Sequence, residues 1–273
     1  MKQILETPDV IINPYRFSAG GVSLPRPIHF WDLDNTTTGV DDLGSGGTGS
    51  PWARLSQGGV AVNVTTGSAA PGGVGECLDF VTGYYEYDDA GTTDIAWDGA
   101  RDEMTMTCWY QIRFTSTAKN QLISWRTLTT TARLAQMQVE NSTDDYLGGA
   151  FFDDGGSVSM FLNDPDVNNT TDQWYFGAIT FKAGTGNIYR VTQGTDTLVL
   201  LETETNASLD AFSTTAQPFA LGARAETKTA TSAYHRGYLW GVGIWDEELS
   251  TAQLQAIYDQ QTNGDTYADF TWT

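Results

Sequence analysis

Along the stretch that begins at Met104, every second residue is apolar. Met104, Met106, Cys108, Tyr110, Ile112 and Phe114 fall on one side, with Thr105, Thr107, Gln111 and Arg113 on the other. Side chains alternate across an extended strand but recur about every 3.6 residues on a helix, so a period of two specifies a β-strand. Its polar side predicts a strand half buried, one face in a core and the other toward water. Short runs of this kind continue from His29 onward, separated by Gly, Asn, Asp and Thr clusters, and predict many antiparallel strands. Trp174–Phe181 (WYFGAITF) is apolar on both faces, as a strand covered on both sides must be. Ile188–Leu201 reads as a hairpin turning around Gly194.

One helix breaks the pattern, over Thr251–Gln261. Ser250 stands at its N-cap with Gln253 three residues on, which is a capping box, and Leu249 and Leu254 supply the flanking hydrophobic staple. Leu254, Ile257, Tyr258 and Gln261 trace one stripe that predicts docking on the sheet, and Asn263 and Gly264 supply the stop.

Residues 1–28 carry Pro8, Pro14, Pro25 and Pro27 with Gly20 and Gly21, which interrupt both helix and strand, so they read as an N-terminal arm. Residues 29–273 read as a single domain, without an internal repeat, and the glycine-rich stretch Gly44–Gly49 reads as a loop. No basic segment followed by an apolar run opens the chain, so no export signal is expected. No apolar run approaches the roughly 20 residues of a membrane helix, so membrane insertion is not expected.

Charge excludes another class of partner. With 34 acidic against 14 basic residues the net charge is -20, which repels a phosphate backbone, so no nucleic-acid role is expected. Cys77 and Cys108 allow two readings, a bridge between neighbouring strands or two buried thiols, and the second is favoured for a lone pair in a large domain. With His29 and His235 at no ligand-like spacing, structural zinc is disfavoured.

In order along the chain, HFWDLDN with DDLGSGG (His29–Gly47), LDFVTGYYEY (Leu78–Tyr87), MTMTCWYQI (Met104–Ile112), QWYFGAITF (Gln173–Phe181) and GYLWGVGIWDEELSTAQLQAIY (Gly237–Tyr258) resemble successive stations of one family. That family is the laminin-G-like branch of the concanavalin A-like lectin and glucanase superfamily. The resemblance implies an all-β fold: a concanavalin A-like antiparallel β-sandwich of jelly-roll type, with one short C-terminal helix and an N-terminal arm. It also implies an acidic residue three positions after Gly237, where this chain has Trp240, so no polar role is carried over to that position. INPYRFSAGG (Ile12–Gly21) is similar to the start of tailed-bacteriophage virion proteins.

Some relatives in that superfamily cleave polysaccharides, and a retaining glycosidase needs two carboxyl groups about 5 Å apart. Glu202 with Glu204, and Glu86 with Asp88, have alternate spacing, yet solvent-facing acids are the expected reading in so acidic a chain. There is no nucleophile elbow and no phosphate-binding glycine loop. No cofactor is required; calcium is admitted, with Asp153, Asp154, Asp164 and Asp166 as candidate ligands, although Asp beside Gly or Pro is ordinary turn chemistry. For glycan contact, Trp52, Trp97 and Trp272 stand in loop or tail contexts, whereas Trp109, Trp174 and Trp245 match core positions.

The function expected is therefore non-enzymatic. It is a structural protein of a virion, in a capsid decoration, head fibre or tail-associated position, presenting a lectin-like sandwich for host-surface glycan attachment. Its expected partners are other virion proteins and itself, as a trimer. The alternatives are a stand-alone carbohydrate-binding module and, second, a polysaccharide hydrolase or lyase.

Overall fold

The computed structural model describes residues 22–33, 39–41, 43–44, 54–58, 64–73, 76–80, 84–87, 94–95, 102–113, 120–126, 133–140, 146–153, 159–163, 169–195, 197–209, 212, 217–227, 230–232 and 235–273. Two antiparallel sheets face each other. The first runs β15 (Val199–Thr205), β14 (Thr185–Thr192), β13 (Trp174–Lys182), β8 (Glu103–Ile112), β19 (Gly237–Trp245), β5 (Glu76–Phe80) and β4 (Val64–Ala69), with β1 (His29–Trp31) also on β19. The second runs β12 (Ser159–Asn163), β11 (Tyr146–Phe152), β10 (Arg133–Glu140), β9 (Asn120–Arg126), β16 (Gln217–Leu221), β6 (Tyr84–Tyr87), β3 (Arg54–Gly58) and β2 (Gly39–Asp41), with β7 (Asp94–Ile95) on β16. β17 (Arg224–Thr227) and β18 (Ala230–Ser232) form a separate pair. This is the β-sandwich that the alternating rows predict, and α1 (Thr251–Thr262) is its short C-terminal helix.

Met104, Met106, Cys108, Tyr110 and Ile112 point between the sheets and meet Ile123, Trp125, Met137, Val139 and Phe151 in one buried cluster. The other face of β8 departs from expectation. Thr105, Thr107 and Trp109 are as buried as the core side, so the strand is covered on both faces rather than half buried. The cause is α1 and the chain around it: Trp109, Phe176, Trp240 and Trp245 form a second cluster with Leu249, Leu254, Ile257 and Tyr258. Thr105 tolerates burial because its hydroxyl donates to the Glu247 carbonyl at 2.8 Å and accepts the Leu249 N–H at 2.9 Å.

The helix forms where its capping box stands. Ser250 Oγ accepts the Gln253 N–H at 3.3 Å, and Gln253 Oε1 accepts the Ser250 N–H at 2.9 Å. Leu254, Ile257, Tyr258 and Gln261 all lie buried, as the stripe predicts. Close approach is made possible at Gly241, where β19 shifts register: its φ is +56°, and a Cβ there meets Gln261 Nε2 at 2.5 Å.

β13 and β14 are joined by the two-residue turn Ala183–Gly184, with φ of +47° and +76°, and β14 passes to β15 through a turn at Gly194, φ +85°. LDFVTGYYEY is not one strand but two. β5 pairs with β19 in the first sheet while β6 pairs with β16 and β3 in the second, so the chain changes sheets within this motif. The two cysteines are free thiols on opposite faces of the first sheet, Cys108 between the sheets and Cys77 on the helix side, which rules out the bridge.

The last residues of the predicted arm lie against the domain. Leu24 bridges Trp272 in parallel, the Thr273 N–H donates to the Leu24 carbonyl at 2.9 Å, Trp245 Nε1 donates to the Pro25 carbonyl at 2.9 Å, and Arg26 Nε donates to the Tyr267 hydroxyl at 2.8 Å. Residues 1–21 lie outside the described residues. No described helix is long and apolar enough to cross a membrane.

Candidate functional site

A cavity of about 360 Å³ opens beside the β14–β15 hairpin, lined by Arg190, Val191, Thr192, Thr195, Thr197, Val199 and Leu201. Register brings its two sides together: Arg190 pairs with Val199 across the hairpin, and an irregularity in the pairing between Ile188 and Tyr189 leaves Leu201 without a direct partner. Val199 is 52% exposed although apolar. Arg190 is only 5% exposed, and its position is built rather than loose. Its Nη1 donates to Asn169 Oδ1 at 2.9 Å, its guanidinium lies 5.1 Å from the centroid of the Tyr175 ring, and the same Asn169 oxygen accepts the Tyr110 hydroxyl at 2.9 Å. These contacts fix the planar guanidinium in one orientation.

The rim of the cavity is held from behind by α1. Tyr258 Oη donates to the Thr195 carbonyl at 2.5 Å, Gln255 Oε1 accepts the Leu198 N–H at 2.8 Å, and Gln255 Nε2 is itself anchored on Asp259 Oδ1 at 2.8 Å. Within the turn, Thr195 Oγ1 donates to the Thr192 carbonyl at 2.7 Å, and the Gln193 amide reaches the Pro71 carbonyl. Hence the capping box that starts the helix also places the two side chains that fix this loop.

A second track crosses the other sheet. Phe161, Ala150, Gln136, Ser124 and Ala220 stand in register on adjacent strands. Their chain neighbours Phe151, Met137, Ile123 and Leu221 point into the core, so this row occupies the outer face. Phe161 is 54% exposed, but Ala150, Gln136, Ser124 and Ala220 are withdrawn from solvent, which closes the track along most of its length.

The predicted residues separate accordingly. Glu86 pairs with Ala220 on the neighbouring strand, while Asp88 lies outside the described residues. Glu202 ties the sheets together, its Oε2 accepting the Asn163 N–H at 2.5 Å, and Glu204 is exposed two residues on. Asp153 follows the end of β11, and Asp154, Asp164, Asp166, Trp52 and Trp97 lie outside the described residues. Among the described residues no group of three or more His, Cys, Asp or Glu side chains is placed to hold a metal ion. Trp272 is half-buried: it stacks on Phe270 at 4.7 Å and 5°, and donates from Nε1 to the Tyr267 carbonyl at 3.2 Å. His29 is buried and stacks on Trp31 at 5.6 Å. His235 is buried with Nε2 3.2 Å from the Tyr238 carbonyl, and loss of hydration pushes its imidazole down to about 4.

Arg190 and the threonines escaped the sequence reading because each is ordinary alone. The available signal was the turn itself, which sets threonines at 192, 195 and 197 around Gly194 between two apolar strands.

No protein-family model and no curated protein sequence matches the chain. Solved structures do. The enzymatically active domain of bacteriophage CBA120 tailspike protein 2 is 14% identical with a TM-score of 0.55, over 77% of this chain and 31% of that one. Trypanosoma rangeli sialidase in complex with 2,3-difluorosialic acid is 13% identical with a TM-score of 0.55, over 88% of this chain and 34% of that one. Botulinum neurotoxin type C, whose passage into cells depends on interaction with two ganglioside molecules, is 11% identical with a TM-score of 0.53, over 87% and 51%. The chain spans between about a third and a half of these proteins' lengths. Likeness at this level of identity shows the fold, a β-sandwich consistent with the concanavalin A-like expectation.

Proposed function

We propose that this chain is a non-enzymatic, carbohydrate-binding β-sandwich of the laminin-G-like kind, carried on a bacteriophage virion to attach it to host-surface glycan. The observation that carries the binding role is the cavity at the β14–β15 hairpin, where an apolar wall of Val199 and Leu201 stands beside Arg190 and three threonines. A sugar ring is amphipathic, with a C–H face and a fringe of hydroxyl groups, and a concave site that joins apolar surface to a few fixed polar groups suits it. The structural neighbours add support from their own biology: a phage tailspike, a sialidase bound to a sialic acid analogue, and a toxin that uses gangliosides.

The virion assignment rests on the likeness of Ile12–Gly21 to virion proteins, and in it residues 1–28 anchor the domain among other virion proteins and copies of itself, as a trimer. A polysaccharide hydrolase or lyase is the second reading, supported by the sialidase and the enzymatically active tailspike domain among the structural neighbours. An array of immobilised glycans, probed with calcium and again with chelator, tests the binding role. Binding that survives chelation and disappears in Val199→Glu is expected; no bound sugar in either condition refutes it. Incubation with β-glucans and alginate tests the alternative, and released product overturns the non-enzymatic reading. Deleting residues 1–28 is expected to abolish incorporation into particles, and unchanged incorporation removes the anchoring role.

A further inference from the structure

We infer that residues 266–273 form a strap that closes over residues 23–26 and fixes the root of the N-terminal arm, so that opening the strap frees the arm while the sandwich stays folded. Polar contacts are the first ground. Ser23 Oγ lies 2.8 Å from Thr273 Oγ1, the Leu24 carbonyl accepts both the Thr273 N–H at 2.9 Å and its hydroxyl at 3.1 Å, and Arg26 Nε donates to the Tyr267 hydroxyl at 2.8 Å. Leu24 and Trp272 meet in a single parallel bridge, and neither belongs to a strand of the two sheets.

Apolar cover is the second ground. Phe30 stands in β1 on the helix side of the first sheet and is fully buried. Its ring centroid lies 5.1 Å from that of Tyr267, 6.5 Å from that of Phe270 and 6.2 Å from that of Trp272. The strap begins where Asp32 Oδ1 accepts the Tyr267 N–H at 3.2 Å, and a 3₁₀ turn over Tyr267–Asp269 carries it across β1. None of its residues joins the cluster between the sheets, so the strap can open locally while that core stays closed.

The root so held has a fixed address. Gln253 Nε2 donates to the Ser23 carbonyl at 3.1 Å, and Trp245 Nε1 donates to the Pro25 carbonyl at 2.9 Å. Gln253 is the residue that closes the capping box of α1, whereas Gln255 accepts the Leu198 N–H on the connection between β14 and β15. Residues two apart on a helix point about 200° apart, so the strapped root lies along one flank of α1 and the β14–β15 connection along the other. The strap therefore decides from which flank the chain before Val22 departs, whatever the arm itself contacts.

Limited digestion of the full chain by thermolysin tests the strap, because this protease cuts on the amino side of bulky apolar residues and Leu24 is buried beside Trp272. Phe270→Ala, which takes one ring off Phe30, is expected to speed cleavage before Leu24 at least about tenfold while β8 stays uncut. Ser23→Cys with Thr273→Cys is expected to form a disulfide in oxidised glutathione, and in the Phe270→Ala background that bond is expected to return cleavage before residue 24 to the parent rate. Cys77 and Cys108 are buried and do not compete for the oxidant. Cleavage before Leu24 that Phe270→Ala leaves unchanged, cleavage inside β8 that keeps pace with it, or failure of the introduced cysteines to join each overturns the strap.

Discussion

Trp109 Nε1 donates to Gln261 Oε1 at 2.9 Å, tying the middle of the first sheet to the last turn of α1 inside the protein. Both residues are buried, and the rings of Trp109 and Tyr258 stack at 5.3 Å on the same side. Replacing Gln261 by Met keeps the volume but leaves the indole N–H without its acceptor. A buried donor stranded in this way costs about 1–3 kcal/mol. Urea unfolding of Gln261→Met is expected to show that loss, and Trp109→Phe in the same background is expected to cost less than it does in the parent. Additive losses in the double mutant rule out the coupling.

Much of this packing is legible in the sequence, and the reason is periodic. The alternation from Met104 to Ile112 and the capping box at Ser250 depend on neighbours in the chain, so they carry to the structure intact. What depends on residues far apart does not. Burial of Thr105 and Thr107 follows from chain some 140 positions later folding over them, and no local signal separates such a strand from a half-exposed one. The break in Leu78–Tyr87 is of the same kind, since two strands in two sheets read as one continuous apolar run. The cavity is the extreme case. Asn169 is 21 positions from Arg190 and 59 from Tyr110, and nothing at any of the three marks a shared site.

Thiol chemistry reports which face each cysteine occupies. Cys108 Sγ donates to Met137 Sδ at 3.4 Å across the sandwich, and burial pushes its thiol pKa well up, so little thiolate forms. Cys77 is buried on the opposite face. A thiol reagent at pH 8 is expected to leave the native protein unmodified and to label both cysteines in guanidinium. Fast labelling of the native chain contradicts the burial, and a disulfide detected under non-reducing conditions contradicts the placement on opposite faces.

His235 makes stability depend on pH in a defined window. Its imidazole is pushed from the ordinary 6.5 down to about 4, first by loss of hydration, with hydrogen bonds to the Tyr238 and Gln111 backbone acting the other way. Between those values the unfolded chain binds a proton that the folded chain refuses, so stability falls as pH drops from 6.5 toward 4. The full deficit is on the order of 3 kcal/mol. Carboxylates contribute to acid sensitivity as well, which makes the comparison with His235→Gln the informative one. Urea midpoints at pH 7 and pH 4.5 are expected to differ more in the parent than in the variant; equal differences eliminate the buried neutral imidazole as the cause.

The hydroxyl of Tyr258 separates the helix's two duties, covering the core and holding the cavity rim. Its ring is buried against Trp109 and Phe176, while its oxygen reaches out to the Thr195 carbonyl at 2.5 Å. Tyr258→Phe keeps the ring and removes the hydroxyl's contacts with the Thr195 and Thr192 carbonyls, a hydrogen bond worth about 1 kcal/mol to folding. Because the freed segment carries Thr195 and Thr197, its effect on ligand binding is expected to exceed its effect on stability. An array signal reduced severalfold beside an unfolding midpoint close to the parent's is the predicted pair of results. Unchanged binding breaks the link between α1 and the rim, since a loop that keeps its shape without Tyr258 is held by the Gln255 bond to Leu198 and the turn itself.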